Sequence, residues 1–73
     1  MFRTEHGDFQ FKVKEGLPDP YIVAEPHSRD GAMPGGIAGF GFTLYTKDIA
    51  EAERVADFLN DKVRQIFIVT KRL

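Results

Sequence analysis

The chain has 73 residues, 42% of them hydrophobic, and a formal net charge of −1, so it makes one domain at most and buries only about 60–65% of its unfolded surface. It has no cysteine and only two histidines, which excludes disulfides, thiolate zinc sites and imidazole-rich metal sites. Its near-neutral charge argues against a broadly basic surface for nucleic acid or anionic lipid, and no apolar run approaches the ~20 residues needed to cross a bilayer.

Residues 1–7 lack the apolar stretch of a signal peptide and read as a frayed start, with Phe2 available to dock on a core. A cytoplasmic location is expected. Residues 8–15 carry a strand signal, with Phe9, Phe11 and Val13 on one face and Gln10, Lys12 and Lys14 on the other. Residues 16–20 form a turn, because Pro18 and Pro20 fix φ and Asp19 can bond its own backbone. A second strand follows over 21–25. Its inward side is either Tyr21 and Val23 or Ile22 and Ala24, and the short connection makes a hairpin with the first strand. Residues 27–36 are rich in Gly and Pro and read as a mobile loop: a long hairpin connection, or else a binding loop.

A third strand spans 37–45, where Phe40, Phe42 and Leu44 recur at period two and Gly39 and Gly41 alternate with them. Ile49, Ala52, Ala56, Leu59 and Val63 then recur at three and four, which predicts an amphipathic helix over 47–64. Thr46 or Asp48 caps it; with Asp48 as cap, Glu51 completes a capping box. Phe58 falls off the apolar stripe, among charged residues. The β-branched run at 66–70 favours a short fourth strand over an extension of the helix. These elements specify an α+β domain over 1–73: a three-stranded antiparallel meander (8–15, 21–25, 37–45) with one helix on one face and a short C-terminal strand at an edge.

The string Gly39-Phe40-Gly41-Phe42, followed by Thr43, Leu44 and Tyr45, resembles the RNP1 signature of RNA-recognition motifs. The resemblance implies bases stacked on Phe40 and Phe42. The string departs from the signature at Ala38, where a basic residue is usual, and at Thr43. About twenty residues precede Tyr21, too few for the first strand and helix of that family, since a helix alone takes ~11 residues. Two orientations follow. If Phe40 and Phe42 face the helix they belong to the core; if they face away they form an exposed aromatic platform.

Other polar groupings are weaker. Ser28 lies between His27 and Asp30 on a loop, without an evident base held in place. His6 and Asp8 offer two metal ligands with no third. No cofactor loop is recognisable. The expected function is therefore that of a small non-enzymatic accessory protein acting by self-association, most simply as a homodimer, or by contact with another protein. Phe58 and Tyr45 are its candidate interface residues. The alternatives are single-stranded nucleic-acid binding through Phe40, Phe42 and Tyr45 with Lys12 and Lys14 near the backbone, and an enzyme built on the 27–36 loop.

Overall fold

A computed structural model describes residues 2–16, 19–27, 31, 33–69 and 71. The elements in chain order are β1 (Phe2–Glu5), β2 (Phe9–Lys14), β3 (Tyr21–Pro26), a short turn Pro34–Gly36, β4 (Phe40–Thr43), α1 (Ile49–Lys62) and β5 (Gln65–Ile68). Strands β2, β3 and β4 form the antiparallel meander, and β1 pairs with β5 in a separate two-stranded ribbon. In the meander Phe11 stands opposite Ala24, and Ala24 opposite Phe40. Val13, Ile22 and Phe42 form the next such row. Residues directly opposite in a sheet share a face. That register settles the inward side of β3 as Ile22 and Ala24, both fully buried.

The helix starts where the sequence places its cap. Asp48 accepts a hydrogen bond from the Ala50 N–H at 2.9 Å. The Asp48 N–H in turn donates to Thr46 Oγ1 at 3.1 Å. Thr46 thus covers the donor that Glu51 would cover in a capping box. At the other end the Val63 N–H closes onto Leu59 O at 2.9 Å. The stripe of α1 lies on the sheet, with Ala52 and Ala56 buried. Two alanines at the contact let the helix backbone come close to β2. Phe9, Phe11, Ile22, Ala24, Met33 and Ala56 form the core, with Val13, Phe42, Leu44, Val55, Leu59, Val63 and Ile66 packed around it. Phe9 and Phe11 meet edge to face, ring centroids 5.7 Å apart, an arrangement favoured by the ring quadrupoles.

Three expectations change. The start is not frayed: Phe2 stands opposite Ile68 and Thr4 opposite Ile66 in the β1–β5 ladder. The C-terminal strand exists, but it pairs with β1 rather than adding to an edge of the meander. The stretch before β4 is not a free loop in its described part. Met33 and Pro34 are buried, and the turn packs against both ribbon strands. A lone Met among Gly and Pro has no periodic partner in the sequence, so its burial leaves no local signal. The β4 ladder is also shorter than the 37–45 pattern. Gly39 explains one end: its φ is 156°, and a Cβ there would stand 2.6 Å from the Ala24 carbonyl oxygen. Among the described residues no helix is long and apolar enough to cross a membrane.

Candidate interaction surface

The helix sits off-centre on the sheet. It packs chiefly on β2 and less on β3, so the β4 side of the same face is thinly covered. Phe40 and Phe42 point to the helix side, in line with Ala24 and Ile22, yet neither is fully buried. Phe42 is half-buried against the core, while Phe40 remains 40% exposed. The two orientations inferred from sequence therefore merge: the aromatics face the helix, and the helix does not reach far enough to enclose them.

A side-chain amide shows why the helix is displaced. Asn60 Oδ1 accepts the Phe11 N–H at 2.8 Å, and Asn60 Nδ2 donates to the Phe11 carbonyl at 3.0 Å. Asn60 therefore pairs with the outer edge of β2 as a neighbouring strand would. It anchors α1 above that edge, and among the described residues the opposite edge, β4, is left bare. Sequence reasoning missed this residue. Its only sign is an Asn flanking the apolar stripe, a position indistinguishable from solvated surface without the sheet beneath.

The Asn60 pairing also fixes the direction of every backbone group in the sheet. The Phe11 amide points away from β3, so Phe11 and Ala24 are a non-hydrogen-bonded pair. Alternation then turns Ile22 and Ala24 toward β4, where they bond Phe42 and Phe40. The N–H and C=O groups of Gly41 and Thr43 are left pointing outward along the free edge. Tyr45 follows, fully exposed at 112%, beside a hollow of about 250 Å³ that Asp19, Leu44, Thr46 and Lys47 also line. Phe58 is 60% exposed on α1. Two residues along a helix is roughly 160° round its axis by the shorter way, so Phe58 lies opposite Asn60, on the flank of α1 away from the β2 edge.

The remaining candidates are not brought together. Lys12 and Lys14 lie on the sheet face opposite Phe40 and Phe42, by the alternation of β2. Lys12 Nζ is held by Glu25 Oε1 at 3.4 Å. A base stacked on Phe40 would have both lysines behind the sheet. The cleft between β2 and the helix, about 320 Å³, is lined by Glu53 and Asp57 as well as Lys12, which disfavours a phosphate backbone there. His6 Nδ1 contacts Val63 O at 3.2 Å, whereas Asp8 Oδ2 accepts from Thr4 Oγ1 at 3.2 Å. The two suggested metal ligands thus serve different local contacts. Among the described residues no group of three or more metal-ligating side chains occurs. His27 is exposed, and Ser28, Arg29 and Asp30 lie outside the described residues. Comparison with protein-family models, curated proteins and solved structures finds no match for this chain.

Proposed function

We propose that this chain is a small non-enzymatic accessory protein that acts by association, first of all with a second copy of itself. The observation that carries the reading is the half-covered sheet face. One edge of the meander is occupied at Phe11 by Asn60, whereas among the described residues the other is open and bordered by the exposed ring of Phe40. An open edge beside apolar side chains is a template for another strand. Tyr45 on the β4 side and Phe58 on the far flank of the helix add exposed aromatic surface, and aromatic residues concentrate binding energy at interface centres. Action in the cytoplasm belongs to the same proposal, resting on a cysteine-free composition that needs no oxidising compartment.

The test is solution mass. Sedimentation equilibrium at micromolar and higher concentration should give a mass approaching twice the 8.3 kDa chain. Phe40→Lys should move the protein back toward monomer. A strict monomer at all concentrations would remove the reading. Nucleic-acid binding is the competing outcome. Titration of a fluorescent oligothymidylate at low salt should show no saturable binding if association is the function.

A further inference from the structure

The self-association proposed above leaves open which surface meets which, and the β4 edge carries enough geometry to decide it. We propose that two copies pair β4 against β4 in antiparallel fashion, with the two-fold axis at Gly41. The inference rests on the association reading and specifies its interface.

Edge availability comes first. At the outer edge of β2 the Phe11 N–H and C=O are already bonded to Asn60, so a second strand cannot pair there without expelling that amide. Among the described residues the β4 edge has no such cover. The separate ribbon is packed on the Pro34–Gly36 turn; its exposed apolar residues, Phe2, Phe67 and Val69, make it the rival surface, and Arg3 opposite Phe67 sets a charge within it.

Register follows from which groups point outward. Gly41 and Thr43 present their backbone groups to the free edge, so a partner strand must match outward residues with outward residues. An axis at Gly41 bonds Gly41 to the partner's Gly41 and Gly39 to the partner's Thr43. The same axis sets Phe40 opposite the partner's Phe42, on the half-covered face. It also sets Ile37, 38% exposed, against the fully exposed Tyr45 of the partner. Axes at Phe40 or Phe42 satisfy the same matching rule, but they set each ring against its own copy and leave Ile37 or Tyr45 beyond the overlap. The axis at Gly41 is the centre of the 37–45 β pattern in the sequence. That pattern is longer than the 40–43 ladder of the single chain, and pairing over its full length requires the bends at Ala38 and Tyr45 to straighten on the partner strand. Gly41 at the axis fits a sheet centre where no side chain stands between the copies on the outer face. The product is a continuous six-stranded sheet, two three-stranded meanders joined at β4, with the aromatic pairs between the two helices.

Area sets the strength. With about 150–250 Å² for each aromatic side chain, the exposed parts of Phe40 and Tyr45 offer roughly 300 Å² per copy. Ile37, Phe42 and the strand backbone add to it. The total falls at the low end for specific interfaces, below about 1,200 Å². A concentration-dependent dimer is therefore expected, not a permanent one.

The experiment uses the native chain. Sedimentation equilibrium from micromolar to millimolar concentration establishes the dimer. At a concentration where the dimer dominates, an equal mixture of ¹³C,¹⁵N-labelled and unlabelled protein is examined by isotope-filtered nuclear Overhauser spectroscopy. Contacts between copies are expected from the Phe40 ring to the Phe42 ring and from the Ile37 methyls to the Tyr45 ring. A dimer whose inter-copy contacts lie elsewhere, for example at Phe58 or Phe67, overturns the β4 register and leaves the association reading standing. A monomer throughout the range overturns both.

Discussion

A single amide decides how the two layers meet. Asn60 makes two hydrogen bonds to one peptide of β2, at 2.8 and 3.0 Å, and both its donor and one acceptor are used. Replacing it with Ala leaves the Phe11 N–H and C=O without partners at a part-buried seam. An unsatisfied buried group costs about 1–3 kcal/mol, so we expect Asn60→Ala to lose roughly that much in urea unfolding. Asn60→Asp is informative beside it. The carboxylate keeps the acceptor for the Phe11 N–H but sets an anionic oxygen against the Phe11 carbonyl, so it should be no better than Ala. Gly39 is a second decisive position. Its positive φ and the 2.6 Å approach of a Cβ to the Ala24 oxygen mean that Gly39→Ala strains the entry to β4. We expect a destabilisation above ~1 kcal/mol, read as a fall in melting temperature of several degrees. Gly39 was marked in the sequence by its place in the alternation with Phe40, Gly41 and Phe42, whereas Asn60 could not be identified from its neighbours, because it owes its role to a peptide on a strand distant in the chain.

At the scale of elements, what was legible is what repeats. The period-two runs located β2 and β4, a short apolar run between Pro20 and Pro26 located β3, the three-four spacing located α1, and Asp48 marked its first turn. Asp48→Ala should cost about 1 kcal/mol, the usual value of a lost N-cap oxygen, and Thr46→Ala less, since it removes a bond to the cap's own N–H. Helical circular dichroism against temperature measures both. The ribbon was the failure. β5 carries a β-branched signal, but β1 is only four residues long, with Thr4 alone buried. Its partner lies at the far end of the chain, and nothing local announces a pairing across that distance. Such a ribbon is marginal alone, and here it is steadied by Phe2 and Ile68 flanking Gly35. The His6 N–H also donates to the Arg64 carbonyl at its root. We expect its ladder amides to exchange with solvent well before those between β2 and β3, which the helix covers. Amide exchange followed by NMR checks the order; equal protection in both sheets would mean that ribbon and meander open as one unit.

For the whole molecule the question is how many edges a sheet leaves open. One helix covers part of one face. The core beneath it is small, so Ile22→Ala, at a site with no exposure, should cost about 2–5 kcal/mol out of a total stability near the lower end of the usual 5–15 kcal/mol. Much of that variant should be unfolded at 37 °C. The same thin cover makes sheet edges the main route for the association proposed. A meander with one open edge makes a closed pair, because the proposed two-fold joining β4 to β4 uses up that edge in each copy. A chain with two open edges can add a copy on each side, and its assemblies do not close. Asn60 separates these cases for the meander, by occupying its second edge at Phe11. Asn60→Ala should therefore do more than destabilise. At concentrations where the proposed dimer of the native chain forms, and below the melting point of the variant, it should form species of increasing mass, seen as a broad, concentration-dependent distribution in sedimentation velocity. Asn60→Ala combined with Phe40→Lys tests the direction of growth. The lysine weakens the β4 pairing, so the double variant should be limited to small species joined through β2. If Asn60→Ala remains a discrete dimer, then a strand edge freed of its amide is not sufficient to recruit another copy, and the edge-based account of association fails at β2.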